Sequence, residues 1–237
     1  MSVSLRPCPA PVVCLLGGES SGKTTLAQAL HHALTQIHSL RVALVQEHLR
    51  AWCEVQQRAP YAHEQAAIAQ EQTRLIEAAQ TVPGVQLVIA DTSPLSVAVY
   101  SALYFADESL LPSARIAQRS FASNLLMGLD LPWQADGLFR DGSAHRDNAD
   151  ALLRHELQSH RLPFQTVYGT GEQRLHNALR ALAPILTPLL GQAPVTTDGL
   201  RTQGRPGWEC EACSDPECEH RLFTSLLKHS ATTRETP

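Results

Sequence analysis

The stretch PVVCLLGGESSGKTTLAQALHHALTQIH, residues 11–38, decides how this chain is read. It opens on a short apolar run rich in Val and Leu, the pattern of a strand buried on both faces. From Lys23 the segment KTTLAQALHHALTQIH carries a helical apolar rhythm. Between the two, Gly17–Thr24 reads GGESSGKT and fits G-x-x-x-x-G-K-[ST]. Gly17 and Gly22 let the backbone turn tightly and aim successive N–H groups at phosphate oxygens. The N-terminus of the following helix adds partial positive charge. Lys23 can reach terminal phosphates, and the Thr24 hydroxyl can ligate Mg²⁺. Gly17, Gly18, Glu19, Ser20, Ser21, Gly22, Lys23, Thr24 and the adjoining Thr25 are therefore the candidate contacts to ATP. An ordinary glycine-rich turn is the alternative, and a strand before with a helix after speaks against it.

Working outward, RVALVQ (41–46), VQLVIAD (85–91), NLLMGLDL (124–131) and PFQTVYG (163–169) read as further strands. Helical patterns cover His63–Gln80, closed by Pro83-Gly84, then Arg146–His160 and Glu172–Leu189. This alternation predicts an α/β domain over residues 11–190, a parallel sheet of P-loop type sandwiched by helices. From Gly191 the pattern changes: a Gly/Pro/Thr-rich linker (191–207), a Cys/His module (208–229) and a frayed tail (230–237).

The 237 residues are 43% hydrophobic and 18% charged, an ordinary globular composition. A net charge of −4 exerts no global pull on nucleic acid or anionic membrane, so phosphate binding must be local. The longest apolar candidate, Leu179–Leu190, is broken by Pro184 and Pro188, and the N-terminus lacks a secretory signal's apolar core. A cytoplasmic location without membrane or nucleic-acid partners is the expectation.

Two further groups of residues complete the chemistry. Asp91 ends the third strand, where a carboxylate beside a phosphate loop would hold Mg²⁺ directly or through water; the alternative is a helix N-cap. The segment PWQADGLFRDGSAHR (132–146) places Arg140 and Arg146 in a polar, glycine-containing stretch. As a lid over ATP, its arginines would neutralise charge on the transferring phosphoryl group; the alternative is a solvated loop. No N-K-x-D segment is present to read a guanine, which points away from GTPases.

In this order GGESSGKTTL (17–26), EHLR (47–50), IADTSPLS (89–96) and LPWQADGLFR (131–140), with Arg146, resemble the ribosylnicotinamide kinase domain of NadR-type proteins and their stand-alone ATPase relatives. The resemblance spans about residues 11–185. It implies ATP-dependent phosphorylation of the 5′-hydroxyl of nicotinamide riboside or a similar nucleoside. By position it implies that Gly22, Lys23, Thr24 and Thr25 hold phosphates and metal. Glu47 would face the acceptor hydroxyl and take its proton late in transfer. Arg50 would sit beside it, or simply pair with Glu47 on one helical turn. Trp133 and Asp136 would border the substrate pocket, Trp133 stacking on a cationic nicotinamide ring or serving as a core or hinge residue. PFQTVYGTGEQRLHNAL (163–179) would border the adenine. The chain departs from the family pattern in two ways. Ser93 stands where many relatives carry a second acidic residue. The nucleotidyltransferase domain that precedes the kinase domain in NadR-type relatives is not seen, so bifunctional NAD synthesis is not expected of this chain alone.

The cysteines are unevenly placed. Cys8, Cys14 and Cys53 read as scattered reduced thiols. Cys210-x2-Cys213-x4-Cys218-x-His220 offers three thiolates and one imidazole to a structural Zn²⁺, with His229 an alternative ligand. The acidic neighbours Glu209, Glu211, Asp215, Glu217 and Glu219 argue against nucleic acid there, and for a protein partner or self-association. A regulatory P-loop ATPase acting through this tail is accordingly the rival to the kinase.

Overall fold

Five parallel strands form the sheet, in the order β2-β3-β1-β4-β5. The computed structural model describes residues 9–133 and 143–191. The strands are β1 (Val12–Leu16), β2 (Val42–Val45), β3 (Leu87–Asp91), β4 (Ser123–Met127) and β5 (Gln165–Val167). The helices are α1 (Lys23–His32, extended by a π-helical turn Ala33–Ile37), α2 (His48–Gln56), α3 (Gln65–Gln80), α4 (Pro94–Phe105), α5 (Leu111–Arg119), α6 (Ser143–Ser159), α7 (Gly171–Ala181) and α8 (Ala183–Leu190). None of the helices among these residues is long and apolar enough to cross a membrane.

The unbroken apolar run of β1 follows from its central place. Successive side chains alternate between the faces of a strand. Val13 and Leu15 enter one core with Leu26, Leu30 and Leu34 of α1 and Ala178 and Leu179 of α7. Cys14 and Leu16 enter the other, with Leu95 and Val99 of α4, Leu111 of α5, and Leu153 and Leu157 of α6. With no solvent-facing side, β1 has no room for a polar residue. Each fully buried leucine or valine contributes about 1.5–3 kcal/mol over an exposed one.

Three helices, α2, α4 and α5, were not expected from periodicity. Helix α4 is the instructive one, because Pro94 through Val99 are all buried and leave no polar stripe. Its start is conventional: Ser93 caps it by accepting from the Leu95 N–H at 3.2 Å, and Pro94 occupies the first turn. The fourth strand is shorter than expected. It stops at Met127 rather than Leu131, because pairing with β5 ends at Met127↔Val167 and the chain then turns. A Cβ on Gly128 would lie 2.3 Å from the Tyr168 ring, so only glycine fits that turn. The last expected helix is two, since Pro184 lacks an N–H and disfavours helical geometry just before it; the chain breaks at Leu182. Helix α6 begins at Ser143, one turn before the expected Arg146. The expected linker, Cys/His module and tail lie outside the described residues, apart from Gly191, as do Cys8, Asp136, Arg140, Cys210, Cys213, Cys218, His220 and His229.

Candidate functional site

Register brings the site together. Leu15 pairs with Asp91 and Leu125, and Val45 pairs with Ala90. The loop after the central strand therefore has Asp91 on one side and the turn after β4 on the other. Glu47, two residues beyond β2, stands one strand further out, roughly 10 Å away at about 4.8 Å per strand. All these loops leave the carboxyl edge of the sheet, where open α/β sheets bind ligands.

The loop Gly17–Gly22 is curled by positive φ at Gly17 (152°), Ser20 (54°) and Gly22 (82°). The Lys23 ammonium donates to the carbonyls of Gly17 and Gly18, each at 2.9 Å. The Ser21 hydroxyl, buried, donates to Gly18 O at 2.7 Å. A Cβ on Gly17 would lie 2.8 Å from Ser21 Oγ and 3.0 Å from Met127 Cβ. Gly18, which the motif leaves unspecified, is equally constrained: a Cβ there would lie 2.7 Å from the Arg146 carbonyl. Helix α1 begins at Lys23 with no acidic residue in its first turn, so its positive end is unopposed. Thr24 lies in that turn, half-buried, and Thr25 is exposed.

Asp91 is 2% exposed, and its Oδ1 is buried without a hydrogen-bond partner among the described residues. Such an oxygen is costly to leave unmatched, which fits a carboxylate waiting on a cation. The capping alternative falls to Ser93 instead. Ser93 is fully buried; besides capping α4 it donates to Gln118 Oε1 at 2.6 Å. Gln118 in turn donates to Asn124, and Asn124 to the Pro163 carbonyl. The position where relatives carry a second acid is thus built into a buried polar chain here. Between Asp91 and Ser93, Thr92 holds φ at 88°, strained for a β-branched residue, and redirects the chain into α4. Cys14, below the site, is inert: burial pushes its thiol pKa up to about 12.

Glu47 precedes the first turn of α2 and lies 3.7 Å from Arg50 Nε, the helical-turn pairing raised as the alternative role for Arg50. The turn carrying Glu47 is pinned by buried Gln72, which accepts from the His48 N–H at 2.8 Å and donates to Gln46 O at 3.4 Å. Arg146 reaches the phosphate loop: its backbone overlies Gly18, while its Nη1 donates to Leu131 O at 2.9 Å and its Nε to Asp147 at 3.3 Å. Trp133 is half-buried, and its indole N–H has no acceptor among the described residues.

Gln72, Asp130 and Arg174 went unrecognised in the sequence. Arg174, on α7, is 4% exposed. Its guanidinium donates to Ser21 O at 2.5 Å, Gly169 O at 2.7 Å and Gly128 O at 3.3 Å, and pairs with Asp130. Asp130 also accepts from the Gly169 N–H at 2.5 Å. Burial presses the Arg174 pKa below its ordinary value, and Asp130 opposes that shift. No local pattern marks these residues: the contacts of Arg174 and Asp130 join positions 39 or more apart, Arg174 to Gly169 excepted, and those of Gln72 join positions 24 and 26 apart.

A phosphate loop after the central strand of a β2-β3-β1-β4-β5 parallel sheet, flanked by a buried strand-end carboxylate, defines a P-loop nucleotide-binding domain. The family model described as an AAA domain (AAA_28) matches residues 12–174, and the chain belongs to that family. No curated protein sequence matches it. Among solved structures it is similar to NadR protein in complex with NR, at TM-score 0.59 and 19% identity, covering 80% of this chain and 54% of that one. A NadR structure with NAD and AMP-PNP gives TM-score 0.61 and 20% identity, covering 81% and 51%. Thymidylate kinase from Ehrlichia chaffeensis gives 0.54 and 13%, covering 75% and 100%. The chain spans about half the length of the NadR chains. At these identities the likeness carries the fold, and the expected NadR-like P-loop kinase fold is the one observed.

Proposed function

We propose that this chain transfers the γ-phosphoryl group of ATP to the 5′-hydroxyl of nicotinamide riboside or a similar nucleoside. The observation that carries this reading is the order of groups along the carboxyl edge. A phosphate loop, a buried carboxylate with an unmatched oxygen and an acceptor-side carboxylate follow one another on β1, β3 and just beyond β2. A hydrolase needs the first two; the third suits an acceptor. The NadR structures, one in complex with NR and one with NAD and AMP-PNP, lend support, since about half of each of those chains shares this fold.

In this reading the loop N–H groups and Lys23 bind and orient the β- and γ-phosphates. Lys23, which rests on the Gly17 and Gly18 carbonyls, would compensate charge on the transferring group. Thr24 and Asp91 would hold Mg²⁺, and the unmatched Asp91 oxygen is the feature that fits it. The metal, when bound, neutralises phosphate charge. Glu47 would accept a hydrogen bond from the attacking hydroxyl and take its proton late, with Arg50 holding the carboxylate in place. Arg146, with Arg140, would steady the equatorial oxygens from the lid side, and Trp133 and Asp136 would face the nucleoside. The loop around Tyr168–Thr170 would border the base.

The test is direct. Incubate the protein with ATP and Mg²⁺ and a panel of nucleosides that includes nicotinamide riboside. Acceptor-dependent ADP release with a phosphorylated nucleoside is the expected result; slow hydrolysis indifferent to every acceptor would sink the proposal.

A further inference from the structure

The P-loop motif specifies which residues curl around phosphate, but not what holds the curl in its working setting. In this chain one buried guanidinium does so. Arg174 Nη1 donates to the Ser21 carbonyl at 2.5 Å, and it lies directly beneath Gly22, where a Cβ would come within 3.1 Å of it. A trans peptide is planar, with C=O and N–H pointing to opposite sides. Fixing the Ser21 carbonyl on Arg174 therefore points the Gly22 N–H away from Arg174. Gly22, at φ 82°, is free enough that the peptide could otherwise turn over.

The same guanidinium holds Gly169 O after β5 and Gly128 O after β4, and pairs with Asp130, which itself receives the Gly169 N–H. Three loops of the carboxyl edge thus converge on one side chain. Only the planar fork of arginine can serve so many acceptors at once; an ammonium group cannot reproduce that geometry.

We propose that Arg174 is a positioning residue, which sets the Ser21–Gly22 peptide so that its N–H serves the phosphate cradle and ties that setting to the loops following β4 and β5. This rests on the nucleotide-binding reading above. Arg174 touches neither phosphate nor acceptor in this account; it acts through the peptide it holds.

The experiment is calorimetric titration of the full chain with two probes, ATP–Mg²⁺ and tripolyphosphate–Mg²⁺, the second having no base. The proteins compared are wild type, Arg174→Lys, Asp130→Asn and Leu186→Ala. Leu186 of α8 lies fully buried in the core on the α1/α7 face and its side chain has no hydrogen-bonding group, so its truncation lowers the melting temperature by opening a cavity. Arg174→Lys should weaken both probes by about tenfold or more, since a charged hydrogen bond is lost. Asp130→Asn should weaken both by a smaller factor, and Leu186→Ala should bind both as wild type does. Wild-type affinity in Arg174→Lys overturns the proposal. So does a loss confined to ATP, which would assign Arg174 to the base alone, or an equal loss in Leu186→Ala, which would reduce the effect to general destabilisation. Should Arg174→Lys not fold, Asp130→Asn decides, and unchanged affinity there is equally fatal. If wild type binds neither probe, the nucleotide reading itself fails and this proposal with it; a binding wild type beside an indifferent variant sinks only the proposal.

Discussion

The two halves of the site's edge are built differently. In the loop after β1 the carbonyls are already engaged: Gly17 and Gly18 by Lys23, Gly18 again by the Ser21 hydroxyl, Ser21 by Arg174. Beyond β3 buried polar atoms stand without a hydrogen-bond partner among the described residues: Thr92 Oγ1, Ser96 Oγ and Gln65 Oε1, with Asp91 Oδ1 at the strand end beside the loop. Gln65 and Ser96 sit on α3 and α4, the helices that pack with Trp52 of α2 around Ile68, Ala69 and Val97. A triphosphate is a constant ligand, and a rigid cradle suits it. On the proposed reading an acceptor would bring its own donors and acceptors, and polar atoms left without partners beyond β3 would keep hydrogen-bonding capacity for it. On that reading preorganisation belongs to the loop and selectivity to the polar atoms beyond β3.

Substitutions should expose that division, and the largest effect belongs to the loop after β1. Lys23→Ala should cut transfer by a factor on the order of 10² to 10³, read as ADP formation with ATP and nicotinamide riboside. Normal turnover would refute the loop assignment. Asp91→Asn, at the seam between the halves, should cost on the order of 10² in turnover and shift the Mg²⁺ requirement upward, without lowering the melting temperature. A clear loss of stability would instead make Asp91 part of the scaffold. Glu47→Gln should lower kcat by roughly 10² while ATP affinity stays near wild type. If only the KM for the acceptor rises, Glu47 is an anchor and not a base.

The smallest effect lies just beyond α2. There Arg58 is stacked between Trp52 and Tyr61, at 4.9 and 4.3 Å, and grips Glu64 through two hydrogen bonds of 2.7 Å. The Arg58 guanidinium, first, and the Tyr61 N–H hold the Glu64 pKa down at about 2, against an ordinary 4.5. The sign follows: the pairing stabilises fully above the ordinary carboxylate range and is lost as pH falls toward 2. The gap in melting temperature between wild type and Glu64→Gln should therefore be small at neutral pH and close on acidification. A gap that widened in acid would contradict the pairing.

The loop after β1 was largely legible in advance, because it is local. Gly17–Thr24 is one contiguous loop that fits a single short motif, and the flanking strand and helix follow from apolar period alone. Asp91 was legible too, as the end of an apolar strand. Helix α4 was not, since a helix buried nearly all round has no polar face for periodicity to find. The turn after β4 was misread as strand because Gly128–Leu131 is apolar apart from Asp130, and that aspartate's partner lies 44 residues on.

What this sequence determined unaided was the strand–loop–helix that cradles phosphate and the alternation that makes the sheet parallel, for both follow from residue type and short spacing. Only the tertiary structure decided that Gly18 must stay small beneath Arg146, that Gln72 pins the turn bearing Glu47, and that Arg174 gathers three loops. Those are contacts between segments remote in the chain. A hydrogen bond leaves no periodic trace when its two ends are separated by whole helices, so such pairs exist only once the sheet has brought its carboxyl-edge loops together.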